Sequence, residues 1–240
     1  MTELRLIAGA ALAEPAEAER EAAPLRLPPG RHGIPADLVR AHQRLRLLEA
    51  AAAALAEQGY GHLTAARVTE LAGVSSRTFY QHFEDLWACL LAAYETEAGR
   101  LCEEIEAACE RSGADRGRGL SRIATQTSTA VIDRRGRAKA GIAAALGFLA
   151  AEPDVARLLS AEPPPQIAAL SAARRDLVER LGGMLRSVLA DPAGATPLPG
   201  LERRLIGAAL AMVSTRAASG DPKRLRDVEP ELSELLLASL

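Results

Sequence analysis

Six side chains that can donate hydrogen bonds lie within a short stretch of the sequence, between residues 76 and 82. Phe79 lies among them and Phe83 follows them, and this spacing of four places both rings on one face of a helix. If that face is buried, the polar side chains point outward, where they can donate to phosphate oxygens or to base edges. The six residues are Ser76, Arg77, Thr78, Tyr80, Gln81 and His82.

The residues before this stretch predict two short helices joined by a tight turn. Thr64 is a favourable N-cap, and Val68 and Leu71 give the first helix an apolar face. Gly73 lies where that helix must end, since glycine adopts the left-handed conformation at little cost. Ser75 then caps the second helix. This is the layout of a helix-turn-helix, whose second helix enters the major groove of DNA.

Several runs of residues resemble TetR-type bacterial transcriptional regulators. The resemblance is strongest between about residues 42 and 94, in the helix-turn-helix, the corner after the first helix and the start of the fourth helix. Two further runs are similar to actinobacterial members of the family. The runs are Ala72-Gly73-Val74-Ser75, Thr78-Phe79-Tyr80, His82-Phe83, Gln58-Gly59-Tyr60, Asp85 to Tyr94, Leu27 to Gly33 and Phe148 to Asp154.

The resemblance implies an all-α fold in two parts. An N-terminal three-helix helix-turn-helix domain would bind double-stranded operator DNA, and a C-terminal helical bundle would bind an effector and form a homodimer. The implied function is ligand-responsive transcription regulation, with a repressor as the expected type and an activator left open. A small effector of apolar or mixed polarity would shift the fourth helix, change the spacing of the two reader helices and lower operator affinity. No cofactor and no catalytic activity are implied.

The reader helix offers two kinds of contact with DNA. Arg77 can bind guanine or a phosphate, while Thr78 and Gln81 can bind base edges. The family uses the positions of Tyr80 and His82 for phosphate contacts. The alternative for each is an ordinary helix residue, solvated or half-buried, that makes no contact with DNA. The predicted DNA-binding residues are Arg31, Arg44, Thr64, Ser75, Ser76, Arg77, Thr78, Tyr80, Gln81 and His82.

Charge limits how this region could hold DNA. The whole chain has a net charge of −2, and residues 31 to 90 contain six arginines and six acidic residues. Binding must therefore depend on where the arginines lie. Arg31 could enter a minor groove or belong to an ordinary linker. The family commonly has a lysine after the cap of the fourth helix, where this chain has Leu86, so one phosphate contact is missing.

Helical spacing and helix-breaking residues divide the chain into three parts. Residues 1–35 are rich in Ala, Glu and Pro and predict a flexible arm, residues 36–84 a DNA-binding domain, and residues 85–240 an effector-binding and dimerisation domain. Apolar spacing predicts the first helix at 37–58, and its predicted buried residues are Leu38, Leu45, Leu48, Ala52 and Leu55.

The C-terminal part is predicted to contain seven helices. The fourth helix of the chain begins at Asp85 and reaches Glu110. Gly136 and the prolines that follow it mark the later breaks. The remaining helices are predicted at about 120–134, 137–151, 154–161, 164–190, 198–218 and 222–239.

The last two predicted helices carry apolar stripes that the remaining elements are too few to cover. Gly207, Ala208 and Ala211 would let a neighbouring helix approach closely. A two-fold dimer could pair these helices as a four-helix bundle, although both could instead close the core of a monomer. The predicted interface residues are Leu201, Leu205, Ala208, Met212, Leu232, Leu235 and Leu236.

Other classes of protein find less support in the sequence. No stretch approaches the ~20 apolar residues of a membrane span, and three cysteines suit the reducing cytoplasm. No nucleophile elbow, phosphate-binding loop or metal-binding helix motif is present. Cys102 and Cys109 share a helix face and are more simply buried thiols than a sensor. The basic run at 134–139 predicts a solvated turn, with an anionic effector site as its alternative.

Two rival functions stay open at this point. A DNA-binding or partner-binding protein without an effector would have a filled bundle core. A helical enzyme would need a convergent polar site, which the C-terminal half does not show. The sequence does not identify the effector, its pocket or the operator.

Overall fold

The computed structural model describes residues 35–119, 126–189, 200–218, 225 and 227–237. Within these residues every regular element is an α-helix, which confirms the predicted all-α fold. None of these helices is long and apolar enough to span a membrane. The helices are α1 (Ala36–Gln58), α2 (Ala65–Ala72), α3 (Ser76–His82), α4 (Leu86–Gly119), α5 (Gln126–Ala151), α6 (Pro153–Ser160), α7 (Ala168–Leu189), α8 (Leu201–Ala218) and α9 (Glu229–Leu237).

Side-chain caps begin the two short helices as the sequence predicts. The Thr64 hydroxyl accepts a hydrogen bond from the Arg67 amide at 3.2 Å, and the Ser75 hydroxyl accepts one from the Thr78 amide at 3.1 Å. Gly73 has a φ of 61°, in the left-handed region that ends a helix. The chain therefore leaves α2 and enters α3 within three residues, which fixes the angle between the two helices.

The first three helices pack around Phe79. This side chain, Val68 of α2 and Leu47 of α1 are each 0% exposed. The ring of Phe83 lies 5.9 Å from that of Phe79, between ring centres, and is also buried. Both aromatic rings thus belong to the core, as their spacing predicts, and they turn the rest of α3 towards solvent.

One edge of α1 differs from the prediction. Leu38 and Leu45 are 58% and 50% exposed, whereas Leu48 and Leu55 are buried as expected. Helices α2, α4 and α6 pack against the face that carries Leu47, Leu48 and Leu55. Leu45 and Leu48 are three residues apart and differ by about 60° around the helix axis. The edge of the buried face falls between them, and helical spacing alone does not locate that edge.

The later helices form a bundle that is joined to the first three through α4 and α6. Helix α4 packs along α5 and α7, α8 lies against α6 and α7, and α9 lies against α5. Helix α6 contacts both α1 and α8. It therefore lies between the DNA-binding helices and the bundle, and its Leu158 and Leu159 are buried there.

Two predicted boundaries in the bundle are wrong, because glycine does not interrupt either helix there. Helix α4 continues to Gly119, and α5 runs from Gln126 to Ala151 without a break at Gly136. Glycine inside a helix costs only about 1 kcal/mol relative to alanine, which a long packed helix can tolerate. The basic run at 134–139 is consequently a stretch of α5 and not a turn.

Proline marks the remaining boundaries more closely. Pro153 is the first residue of α6, where its missing amide hydrogen is not needed. Helix α7 begins at Ala168, slightly later than predicted, after the three consecutive prolines. The last helix begins at Glu229 instead of near residue 222, so it is shorter than predicted.

Candidate DNA interface and ligand cavity

Helix α3 presents a polar outer face. Ser76, Arg77, Tyr80 and Gln81 are exposed, and Tyr80 keeps 61% of its surface accessible. Arg77 and Gln81 are four residues apart and therefore lie on the same face of the helix. The structure brings these predicted base-reading residues together on one accessible surface, and their contacts with DNA stay a prediction.

Three of the hydroxyl groups predicted to contact DNA have different surroundings. Thr64 and Ser75 are exposed, and each already accepts the hydrogen bond that caps a helix. Thr78 is half-buried, and its hydroxyl oxygen lies 2.9 Å from that of Ser75. A base contact by Thr78 would compete with this bond. Arg77 and Gln81 are therefore better placed than Thr78 to read bases.

Three arginines around α3 have no carboxylate partner among the described residues. They are Arg40 and Arg44 of α1 and Arg77 of α3, whereas Arg67 pairs with Glu57 at 2.8 Å and with Glu70 at 2.9 Å. The balanced charge of the region is therefore divided locally. Glu57 and Glu70 neutralise Arg67, and the arginines beside the reader helix keep their charge for phosphates.

Arg44 and Arg46 of α1 have separate roles. The guanidinium carbon of Arg44 lies 4.6 Å from the centre of the Phe83 ring, which keeps this side chain at the end of α3. Arg46 is 9% exposed, and its Nη2 donates to the carbonyl oxygen of Ala72 at the end of α2. Arg46 therefore holds α1 against the turn and is not available to DNA.

His82 lies at the end of α3 beside α1. Its Nε2 is 3.5 Å from Oε1 of Gln43. Partial burial lowers the pKa of His82 below its ordinary value, and the charges of Arg44 and Arg40 lower it further. His82 is consequently neutral near pH 7, so a contact with phosphate would be a hydrogen bond from an uncharged ring.

The start of α4 supplies no cation to this surface. Oδ1 of Asp85 accepts from the Ala88 amide at 2.7 Å and caps the helix. Leu86 and Trp87 are half-buried and pack against the core. Arg31, the remaining predicted DNA contact, lies outside the described residues.

A cavity of about 140 Å³ lies inside the bundle, between α4, α5, α7, α8 and α9. Among the described residues, those that form its walls include no charged, hydroxyl or amide side chain. The lining residues are Leu101, Ile105, Cys109, Ala138, Gly141, Ile142, Ala145, Leu146, Leu149, Leu181, Met184, Leu185, Val188, Ile206, Ala209, Leu210, Val213 and Leu232. Such a cavity can hold an apolar group but offers nothing to a charged one.

Cys109 is the most polar side chain on this wall. Its thiol lies 3.4 Å from the carbonyl oxygen of Arg137, and burial raises its pKa. A Cβ atom at Gly141 would lie 3.0 Å from the Cys109 sulfur, so α4 and α5 approach each other closely at this point. Burial also raises the pKa of Cys102, which supports reading both thiols as packed apolar groups. No three His, Cys, Asp or Glu residues within the described ranges could hold a metal ion.

Arg157 of α6 bridges the two parts of the chain. Its Nη1 donates to the carbonyl oxygen of Ala56 in α1 at 2.5 Å, and its Nε donates to that of Ala217 in α8 at 3.1 Å. One guanidinium group thus connects the end of the first helix with the end of a helix that lines the cavity. Sequence reasoning missed this residue, because an arginine that binds main-chain carbonyls follows no motif.

A second polar cluster lies between the corner after α1 and the helices α4 and α7. Tyr94 is 1% exposed, and neither its hydroxyl nor that of Tyr60 makes a hydrogen bond of normal geometry with any described residue. Burial raises the pKa of Tyr60 to about 12 and raises that of Tyr94 as well. Nearby Arg174 pairs with Glu162 at 2.9 Å and donates to the carbonyl oxygen of Leu159 at 3.2 Å. This cluster fixes the end of α6.

The run from Phe148 to Asp154 has a structural role. Arg100 of α4 pairs with Glu152 at 2.6 Å and with Glu97 at 2.7 Å, and its guanidinium carbon lies 5.2 Å from the Phe148 ring centre. Burial raises the pKa of Glu97, and the charge of Arg100 opposes that rise. The run therefore anchors the end of α5 to α4, close to the start of α6.

The residues predicted to form a dimer interface are divided between the inside and the outside of the bundle. Leu205 and Leu232 are 8% and 4% exposed, so they pack within their own chain and offer no surface to a second copy. Ala208 is exposed, as are its neighbours Gly207 and Ala211. Leu201 and Met212 are half-buried, and the side chains of Leu235 and Leu236 lie outside the described residues.

Residues 47–93 match the model of a protein family described as bacterial regulatory proteins, tetR family. The matched range covers most of α1, all of α2 and α3, and the first residues of α4. No curated protein sequence matches the chain.

Solved structures share the fold at low sequence identity. The fatty acid degradation regulator FadR from Bacillus halodurans has a TM-score of 0.60 and 16% identity, over 81% of this chain and 94% of that chain. FadR from Bacillus subtilis, solved in complex with stearoyl-CoA, has a TM-score of 0.59 and 17% identity, over 82% of this chain and 98% of that chain. A TetR-like transcriptional regulator from Rhodococcus sp. RHA1 has a TM-score of 0.56 and 18% identity, over 88% of this chain and 97% of that chain. At these identities the likeness shows the fold of the bundle as well as that of the DNA-binding helices.

Proposed function

We propose that this chain, whose residues 47–93 match the tetR family model, is a transcriptional regulator that represses transcription as a homodimer until an apolar effector enters its bundle. The observation that carries the DNA-binding half is the capped reader helix with its exposed Arg77 and Gln81. Beside it lie two arginines of α1 that pair with no carboxylate of the described residues. We assign DNA binding to residues 36–84 and effector binding and dimerisation to residues 85–240.

On DNA, α3 would lie in the major groove. Arg77 can donate two hydrogen bonds to guanine, and Gln81 can bind the edge of adenine. Tyr80, Arg40 and Arg44 would contact the phosphates on either side. The neutral ring of His82 would add a hydrogen bond at the helix end. This division gives base contacts to the centre of α3 and positioning contacts to its borders.

The cavity supports an uncharged effector. Its volume of about 140 Å³ is close to that of an engineered apolar cavity of ~150 Å³ in another protein, which stays dry and binds benzene. A short hydrocarbon chain or a single aromatic ring would fill it. The solved complex of Bacillus subtilis FadR contains stearoyl-CoA. A long acyl chain of that kind would need this bundle to open further, and its charged part would have to lie outside the apolar walls.

The effector would act on DNA affinity through α6 and α8. Helix α8 forms one wall of the cavity, and its Ala217 carbonyl binds the same guanidinium group that holds Ala56 of α1. Helix α4 also lines the cavity and packs against α1. An effector that separates these walls would therefore shift α1 and, with it, the reader helix. Such a ligand lowers operator affinity if the wider bundle and the DNA-bound spacing are incompatible.

The proposed dimer uses the exposed side of α8. Gly207, Ala208 and Ala211 present small side chains there, so a second α8 could approach closely. A two-fold dimer through this face would carry two reader helices, as an operator with two half-sites requires. Leu205 and Leu232, which the sequence predicts at the interface, are buried within their own chain and do not belong to this face.

The rival function, a DNA-binding protein without an effector, predicts a filled bundle core. The apolar cavity favours the effector-responsive regulator over that rival. If no ligand changes operator affinity, a DNA-binding protein without an effector becomes the better description.

Selection of duplexes from a random pool by the full-length chain tests the DNA-binding proposal. We expect enrichment of a two-fold symmetric sequence whose half-sites have centres one helical turn, ~34–36 Å, or a multiple of it apart. Light scattering on the same preparation should show the mass of a dimer. A pool that stays random after repeated rounds would refute the proposed function.

A further inference from the structure

An apolar ridge is exposed on α1. Leu38, Ala41 and Leu45 are spaced by three and four residues, so they form one stripe, which we call the α1 ridge. Single exposed leucines need no explanation. Among the described residues, however, the only large hydrophobic side chains classed as exposed are Leu38, Leu45 and Tyr80. The exposed apolar surface is therefore concentrated on the DNA-binding helices.

The α1 ridge has two arginines along one of its sides. Arg44 lies three residues after Ala41, and Arg40 lies one turn before Arg44, so both border the ridge where α1 approaches the end of α3. Asp37 lies one turn before Arg40 on that same side, and Glu49 lies beyond the C-terminal end of the ridge. A segment that covers the ridge can therefore place carboxylates favourably only beside Arg40 and Arg44.

The sequence that directly precedes α1 has the matching pattern. An apolar run from Leu6 to Ala13 is followed by glutamates at 14, 17, 19 and 21, with Arg20 as the single cation among them. Residues 25–34 contain Arg26 and Arg31 and no acidic residue. The apolar and acidic half of this segment therefore complements the ridge and its arginines, and the half nearer to α1 does not.

Residues 14–34 are long enough to let the apolar run reach the α1 ridge. Pro35 and Leu45 are ten helical residues apart, which corresponds to about 15 Å. Residues 14–34 could span about 70 Å when extended, so the run can fold back along α1 without strain. A short tether also holds the segment near the ridge at an effective concentration of about 1 mM.

We propose that residues 1–24 dock on the α1 ridge of their own chain, with their glutamates beside Arg40 and Arg44, and so compete with DNA phosphates. The inference rests on the proposed binding of DNA by α1 and α3. A random duplex binds almost only through its phosphates, so the docked glutamates compete effectively with it for Arg40 and Arg44. An operator adds base contacts from α3 and displaces the segment. The contact thus suppresses non-specific binding.

The test replaces the four glutamates in the full-length chain, as E14Q, E17Q, E19Q and E21Q together. The matched control is E103Q, E104Q, E106Q and E110Q, which changes the net charge equally at exposed positions of α4. Fluorescence anisotropy with a random duplex at low salt should show binding roughly three- to tenfold tighter for the first variant than for the control. The difference should shrink as salt is added.

The ridge itself is tested by L38Q with L45Q, both exposed positions where glutamine is a good helix former. This variant should also bind the random duplex more tightly than the wild type. Combining it with the four glutamate substitutions should add little, because both disrupt one contact. Equal binding by the glutamate variant and its control, or weaker binding by the ridge variant, would overturn the inference. Failure of every form to bind any duplex would instead refute the proposed function, and this inference with it.

Discussion

The DNA-binding helices and the bundle bury their apolar side chains in different ways. In α1–α3 two phenylalanine rings fill the core, and the side chains that cap α2 and α3 lie within three residues of the amides they bind. In the bundle, alanine and leucine leave a cavity of about 140 Å³. Polar contacts of the bundle join distant parts of the chain, as the hydrogen bonds from Arg157 to Ala56 and Ala217 do.

Under the proposed function, this difference would separate a rigid DNA-binding part from a bundle whose helices can change their spacing. A core without voids keeps one arrangement, because any displacement loses close contacts. A bundle with an apolar void can be occupied or empty, and the two states need not have the same helix spacing. Helix α6 and Arg157 lie where the two kinds of packing meet. The following substitutions test the contrast.

The largest effect is expected from the core of the reader. Phe79→Ala should lower the free energy of unfolding by about 3–5 kcal/mol, because Phe79 is fully buried among three helices. Met184→Ala, on the half-exposed cavity wall, should cost about 2 kcal/mol, at the lower end for such truncations. Denaturant unfolding of both variants measures this. Equal losses would contradict the proposed difference in packing.

The same insertion in the two regions should have opposite consequences. Ala54→Leu places a larger side chain in α1 at a position that is 0% exposed and should cost about 1–3 kcal/mol. Ala209→Leu points into the cavity, which has room for the added methyl groups, so stability should stay within about 1 kcal/mol of the wild type. Thermal unfolding compares the two. A large loss for Ala209→Leu would mean that the bundle is as fully packed as the reader.

A further contrast concerns arginines with and without partners. Arg77→Ala should weaken operator binding by about 1–3 kcal/mol and relax the preference at one base pair. Arg67→Ala should change operator affinity much less, because Arg67 is paired with Glu57 and Glu70. Titration of selected and mutated operators distinguishes the two. If Arg67 mattered more than Arg77, the assignment of the outer face of α3 to base reading would be wrong.

The smallest effect concerns pH. Because the pKa of His82 is lowered in the folded chain, acidification protonates the unfolded chain first, and the contribution of His82 to stability falls as the pH drops below about 6.5. His82→Gln should therefore lose less stability than the wild type between pH 7 and pH 5. Denaturant unfolding at the two pH values measures the difference. Identical pH dependence would show that neither burial nor the arginines of α1 lower the pKa of this ring.

Local signals explain what the sequence predicted well. The caps at Thr64 and Ser75, the left-handed turn at Gly73 and the two phenylalanines all act within a few residues. Their consequences can therefore be worked out before any packing is known. The same reasoning placed Arg77 and Gln81 on the outer face of α3.

Features that depend on how the helices pack could not be predicted from the sequence. The spacing of Leu38 and Leu45, or of Leu205 and Leu232, shows that they share a face with other apolar residues but not whether that face is covered. Arg46 and Arg157 bind main-chain carbonyls that are distant in sequence, so no sequence motif predicts these contacts. A cavity between five helices likewise has no signature in any one of them.

The central claim is that occupancy of the bundle cavity controls the DNA-binding surface. The most direct measurement is anisotropy of the selected operator with wild type and Ala209→Leu, during titration with benzene and with linear alcohols from butanol to decanol. We expect at least one probe to lower wild-type affinity at least ~5-fold and to raise its unfolding temperature. The added leucine takes part of the void without separating its walls, so Ala209→Leu should bind operator normally and respond to these probes much less than the wild type. Release of both proteins alike, or of neither, would contradict the claim.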